Sequence, residues 1–150
     1  MADIMGISQF ERLFREAASL DVDKSDLKRL SEFLNQKLYD MLLVAQAKAK
    51  ANQRDVIEYH DLPITKGLQE IIHLYRKMEI GLALQPILEK LATLPQLDLA
   101  YSAETRDKLP EIIGGLTVAL AKAFKTIDPA VKNPQTEHWE KAEAIFNTLL

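Results

Sequence analysis

Apolar residues recur every three or four positions over residues 26–52, which predicts one long amphipathic helix. No Pro or Gly interrupts this stretch before Asn52. At 1.5 Å per residue the helix is about 40 Å long, well above the ~11–12 residue average, so its apolar stripe needs a long partner. Shorter amphipathic segments over 8–19 and 62–77 flank it. The stripe consists of Leu27, Leu30, Leu34, Leu38, Met41, Leu42, Ala45 and Ala49.

The second half repeats this order of short, long and short helices, although its amino-acid sequence is different. Pro86 suits the first turn of a short helix, and Ser102 is a plausible N-cap for a second long helix. Asp128-Pro129 ends that helix, and Thr136 can cap a last one. The predicted segments are a helix over 86–93, a loop over 96–101, a long helix over 103–127, a loop over 130–135 and a final helix. The pattern predicts an all-α chain whose two long helices cross antiparallel at the centre.

A second feature is an Arg and an Asp placed seven residues apart after the first long helix. Arg54 and Asp61 bracket a short loop, and a bidentate Arg–carboxylate pair can fix the two ends of such a loop. The alternative is that they are two separate exposed charges.

Taken together, these features resemble the histone fold. Residues 8–18 are similar to the first histone helix, 20–23 to the loop that leads into the long helix, and 54–61 to the second loop. The resemblance places Arg54 and Asp61 at the family's structural Arg–Asp clamp. It implies two tandem copies, 8–78 and 84–150, packed as an intramolecular pseudodimer.

Over nearly its full length the chain resembles a small bacterial family of doublet histone-fold proteins with a degenerate second copy. Residues 132–138 match a loop expected in that family. The second copy departs from an ordinary histone because Pro110 and Gly114-Gly115 lie within its long helix and no Arg occupies a clamp position. We expect Pro110 to kink the helix. The Gly pair lacks the pattern of a phosphate loop and predicts a close helix crossing instead.

Composition sets the broad class of protein. The chain has 150 residues, 47% of them hydrophobic, and no Cys, which favours a single globular unit over 1–150 without disulfides or thiolate metal sites. The amino terminus has no basic leader or signal-length apolar run, and the nearly apolar run 112–121 is too short to span a bilayer. We therefore predict a cytoplasmic protein without membrane contact, in the nucleoid if it binds DNA.

The resemblance makes DNA the first partner to test. Arg12 matches a phosphate-contacting position of archaeal histones, whereas Asp21 and Asp55 stand where basic residues are usual, and Val56 replaces a hydroxyl residue. Residues 1–78 carry twelve basic and twelve acidic groups, and 79–150 carry seven and ten, so neither half is a basic footprint. We expect weak binding without sequence preference. The candidate contacts are Arg12, Arg15, Lys48, Lys50 and Arg54.

Catalytic chemistry has little support. His60, His73 and His138 are not in a recognisable nucleophile motif. Glu70 and His73 form only one of the two Glu-x-x-His steps that a di-iron bundle needs. A metal site at Glu58, His60 and Asp61 would compete with the clamp for the Asp61 carboxylate. We predict no enzyme, cofactor, metal or small-molecule substrate. The alternative to DNA binding is a histone-fold interaction or scaffold module that binds another protein or itself.

Overall fold

The computed structural model describes residues 7–150, which are all-α in class. Two two-residue strands and one 3-10 turn, Tyr59–Asp61, accompany the helices. The elements are α1 (Ile7–Ala18), α2 (Lys24–Ala51), β1 (Val56–Ile57), α3 (Lys66–Lys77), α4 (Leu84–Leu91), β2 (Ala100–Tyr101), α5 (Ala103–Ile127) and α6 (Thr136–Leu149). The short-long-short order therefore occurs twice along the chain.

Local sequence explains where the long helices begin. Asp23 accepts the amide of Asp26 at 2.9 Å, and the Asp26 carboxylate accepts the amide of Asp23 at 3.0 Å, which together form a capping box. At α5 the Ser102 hydroxyl accepts a hydrogen bond from the amide of Thr105 at 3.1 Å. Ser102 is therefore the N-cap, as predicted.

Several predicted boundaries differ from the structure. The first long helix begins at Lys24 rather than at residue 26, and α4 spans Leu84–Leu91 rather than 86–93. The prediction began the third helix at residue 62, but α3 begins at Lys66, with Thr65 as its N-cap. Leu62 is extended, with ψ 140°, because it precedes Pro63, and a residue before proline is disfavoured in the helical region. At α6, Gln135 rather than Thr136 is the N-cap.

All the buried apolar residues of the described range except Ala49 form one contiguous cluster, to which all six helices contribute. Helix α5 is central to it, since α1, α3 and α6 all pack against α5. The Phe124 ring on α5 stacks near Phe14 of α1, with centroids 6.4 Å apart, and meets Trp139 of α6 edge-on at 5.0 Å. The large aromatic side chains thus join the beginning of the chain to its last helix.

The Gly pair of α5 is the point where α3 approaches most closely. A Cβ on Gly114 would overlap the Tyr75 ring, and one on Gly115 would lie 2.5 Å from Ile72 Cγ1. Real Cβ atoms are not found at such distances, so both positions need Gly. This confirms the prediction of a close helix crossing.

Loops from the two halves meet at two places. At the first, which we call the clamp end (residues 54–61 with 98–102), β1 pairs with β2 in parallel, Val56 opposite Ala100 and Ile57 opposite Tyr101. At the second, the far end (residues 19–23 with 128–138), the Asp21 amide donates to the Lys132 carbonyl at 2.7 Å. These ends lie at opposite termini of the 28-residue α2, which is about 40 Å long.

Candidate nucleic-acid interface at the loop ends

Arg54 and Asp61 form a bidentate ion pair at the clamp end. The two guanidinium nitrogens Nη1 and Nη2 donate to Oδ2 and Oδ1 of Asp61 at 2.6 and 2.5 Å. The Asp61 side chain is fully buried, whereas that of Arg54 is 31% exposed. Asp61 Oδ2 also accepts the Glu58 amide at 2.8 Å, so one carboxylate ties together both ends of the loop.

The electrostatics of this pair favour the charged state. Hydrogen bonds from Arg54 lower the pKa of Asp61 to about 2, in spite of the burial that opposes ionisation. The same contact raises the pKa of Arg54. Asp61 therefore remains a carboxylate at any ordinary pH, and its oxygen atoms are occupied by the guanidinium and the Glu58 amide.

Two other candidate DNA contacts, Lys48 and Lys50, lie beside the clamp end and are also engaged within the protein. Lys48 Nζ donates to the His60 carbonyl at 3.1 Å. Lys50 Nζ lies 2.6 Å from Asp98 Oδ2, and both of those side chains are about half exposed or more, at 48% and 69%. The structure thus brings Lys48, Lys50 and Arg54 together at one end of the molecule, each with a partner.

The remaining two candidates belong to a different helix. Arg12 and Arg15 are exposed on α1, and Arg12 lies 3.7 Å from Glu16 in an i,i+4 pair whose members are both about half exposed. Such pairs contribute little and break readily. The five candidate cations therefore do not form one patch.

Acidic groups accompany the cations of the clamp end. Exposed Asp55 directly precedes β1, Glu58 follows it, and Asp98 lies beside Lys50. Lys108 adds a positive charge above the Tyr59 ring, 4.8 Å from its centroid. The local charges are nearly balanced, so a phosphate would meet little net attraction.

The far end contains three polar contacts that the sequence reasoning missed. His138 Nδ1 accepts the Gln135 amide at 2.8 Å, and His138 Nε2 lies 3.1 Å from Asp128 Oδ2. Trp139 Nε1 donates to Oδ1 of the buried Asp26 at 2.9 Å. The only available signal was Asp128 at the end of a helix and His138 in the first turn of the next, a spacing too general to interpret alone.

Burial raises the pKa of Asp26, whereas the hydrogen bond from His138 lowers the pKa of Asp128. Beside them, the Arg29 guanidinium lies 5.5 Å from the centre of the Trp139 ring and 3.2 Å from Glu143. These contacts fasten α6 to the first turns of α2.

An apolar cleft of about 640 Å³ lies between α2 and the segment that contains α4. Helix α4 beside it has only eight residues and buries one large side chain, Ile87. The walls include Tyr39, Leu42, Leu88, Leu91, Leu97 and Leu99.

Within residues 7–150, no three His, Cys, Asp or Glu side chains lie close enough together to hold a metal ion. No helix in that range combines the length and apolarity needed to cross a bilayer. His73 is exposed on α3, where Glu70 pairs with Lys66 at 3.2 Å.

Solved structures similar to this chain come from two bacteria. A crystal structure of a protein from Thermus thermophilus is 56% identical in sequence, covers 99% of this chain and 100% of its own, and superposes with a TM-score of 0.95. A crystal structure of a protein from Aquifex aeolicus, at 24% identity, covers 100% and 99% with a TM-score of 0.83, which shows a shared fold.

Two uncharacterized proteins from Aquifex aeolicus (strain VF5) are similar in sequence. One is 30% identical over 137 residues, covering 83% of this chain and 80% of the relative. The other is 26% identical over 120 residues, covering 80% and 70%. The sequence signature described as "Domain of unknown function (DUF1931)" matches residues 10–147, and the chain belongs to that family.

Proposed function

We propose that the chain is a histone-fold pseudodimer in which both copies lie in one polypeptide. The repeated order of short, long and short helices supports this, as does the exchange of contacts between the halves. Helix α1 packs on α5 of the other half, and α4 contacts α2. At the clamp end, a loop that follows one long helix pairs in parallel with the loop that precedes the other.

We propose further that the protein is not an enzyme and binds DNA weakly, without sequence preference, at the clamp end. The single observation that carries this is the clustering of Lys48, Lys50 and Arg54 where α2 ends, at one end of the molecule. Phosphate contacts give affinity without sequence information, and three cations can supply only a few of them.

These cations already form ion pairs or hydrogen bonds within the protein, and this limits their affinity for DNA. Arg54 must keep its bond to buried Asp61. Only the exposed part of its guanidinium can therefore donate hydrogen bonds to a phosphate. Lys50 must leave Asp98 before it can bind another anion. We therefore expect affinity weaker than about micromolar at physiological salt and a shallow dependence on salt concentration.

The test is an anisotropy titration with random-sequence duplex DNA at about 50 and about 150 mM salt. Asp98→Asn releases Lys50, and Asp55→Lys reverses a charge next to β1, so each should tighten binding severalfold. Asp21→Arg makes the corresponding change at the far end and is tested separately. Asp40→Asn and Asp40→Lys, in the middle of α2, are the controls with matched changes in charge.

Tight wild-type binding with a salt slope that implies six or more contacts would mean that the DNA surface lies elsewhere. Equal gains from the Asp40 controls would show that net charge, not the clamp end, determines affinity.

The second candidate function is an interaction or scaffold module that binds another protein or itself. The apolar cleft between α2 and α4 favours it, because a concave surface lined by Leu and Tyr side chains can receive an apolar side chain of a partner. Absence of DNA binding by the wild type and by all the reversal variants would support this candidate. Sedimentation of the purified chain and a pull-down would then be the next measurements.

A further inference from the structure

His138 occupies the N3 position of α6, where a capping box ordinarily has Glu or Gln. Its Nδ1 accepts the Gln135 amide at 2.8 Å, so that nitrogen carries no proton. The ring proton must then be on Nε2, which donates to Asp128 Oδ2 at 3.1 Å. Only the neutral Nε2–H tautomer makes both bonds, and the side chain is only 7% exposed.

We propose that His138 is a pH-sensitive latch: a proton taken up at Nδ1 releases the Gln135 amide and loosens the first turn of α6. Imidazolium is a donor at both nitrogens, so the Gln135 amide would face a second donor in place of a lone pair. The positive end of the α6 dipole also disfavours a cation at this position. Histidine is the side chain whose charge ordinarily changes between pH 5 and 8.

Several charged groups surround this position. Asp128, the C-cap of α5, favours imidazolium, but its side chain is 45% exposed and it also accepts the Ala130 amide at 3.1 Å. Lys125 of α5 opposes it, with its Nζ fixed to the Val131 carbonyl at 2.6 Å.

Glu137 precedes His138 on α6, and Lys132 and Asp21 share the backbone bond between the two loops. Whatever their combined field, Nδ1 loses its lone pair on protonation, so the bond to Gln135 is lost.

A change in the first turn of α6 affects the core because Trp139, which follows His138, is packed there. Trp139, the one tryptophan of the chain, bonds to Asp26 and packs edge-on against Phe124. A change in the first turn of α6 therefore changes the environment of a natural fluorophore. The site lies at the far end and is independent of the DNA binding proposed for the clamp end.

Two measurements on the full chain test the latch. Nitrogen shifts of His138 at pH 8 should show Nδ1 unprotonated, which requires no variant. Between pH 8 and pH 5, the protection of the Gln135 amide against hydrogen exchange should fall about fivefold or more, the size expected for loss of one N-terminal capping bond. The emission of Trp139 should shift over the same pH range.

His138→Gln keeps an acceptor at N3 that does not titrate, so it should abolish both pH responses, and His138→Glu is the substitute if that variant does not fold. His73→Gln, on an exposed position of α3, is the matched control and should keep them. Asp26 also contacts Trp139 and can change its emission on protonation. Asp26→Asn removes that contribution, so that the remaining pH response of the emission comes from His138. Protonated Nδ1 at pH 8, or an unchanged response in His138→Gln, would overturn the proposal.

Discussion

The two loop ends perform the same task with different chemistry. In each, a lysine near the end of a long helix donates to a carbonyl of the following loop: Lys48 to His60, and Lys125 to Val131. In each, a carboxylate then fixes the loop, but its partner differs. Asp61 is held by a guanidinium, whereas Asp128 contacts the imidazole of His138. A permanent charge holds one end of the molecule and a titratable group the other.

The same contrast extends to packing between the halves. Helix α1 has twelve residues and buries Phe10, Leu13 and Phe14, whereas α4 has eight and buries one large side chain. The apolar cleft beside α4 is correspondingly larger, at about 640 Å³, than the cleft of about 370 Å³ between α1 and the first turns of α2. By contrast, α3 and α5 pack very closely, because α5 has two Gly residues where α3 crosses it.

The largest expected effect comes from that close crossing. Gly114→Val forces a branched side chain into the Tyr75 ring and should lower the free energy of unfolding by about 3 kcal/mol or more, in spite of a better helix propensity. Gly81→Val is the control, because a Cβ there meets nothing within 4 Å. Urea unfolding measures both. Equal losses at the two positions would mean that the Gly pair is not what admits α3.

The clamp should be next in size. Arg54→Ala leaves the buried Asp61 carboxylate without its counter-ion, which should cost about 1 to 3 kcal/mol. Arg12→Ala, which breaks the exposed pair with Glu16, is the control and should have no measurable effect. If both variants unfold alike, the clamp is only a surface ion pair.

The pH dependence distinguishes the two ends further. The pKa of Asp61 is lowered to about 2 from an ordinary 3.8, so its contribution to stability is complete above about pH 4 and is lost as the pH falls through 2. We expect the free energies of unfolding of Arg54→Ala and the wild type, measured with urea, to converge as the pH falls below about 2. Between pH 5 and 8 the clamp contribution should stay constant.

Sequence reasoning was most successful where one local pattern determines the structure. The apolar stripe of α2, the cap at Ser102 and the Gly pair are of this kind, because spacing or residue type alone specifies the geometry. The seven-residue separation of Arg54 and Asp61 suggested a pair that the structure does bring together. The Lys50–Asp98 and Asp26–Trp139 contacts join residues 48 and 113 positions apart, and no local pattern indicates such contacts.

The smallest effect concerns how the helices end. Ser19, Gln53 and Glu79 follow α1, α2 and α3 with φ of 54°, 61° and 56°, a left-handed conformation that favours Gly. Among the described residues of the second half, none has a positive φ: Ala92, the C-cap of α4, has φ −65°.

Gln53→Gly should therefore raise the free energy of unfolding by about 0.5 kcal/mol, since relief of left-handed strain outweighs the added freedom of the unfolded chain. Ala92→Gly relieves no strain and only adds freedom to the unfolded chain. It should therefore lower the free energy of unfolding by a similar amount. Thermal and urea unfolding of the two variants must give opposite signs. A loss at Gln53 would mean that its side chain makes a stabilising contact at the clamp end that outweighs the strain of its backbone.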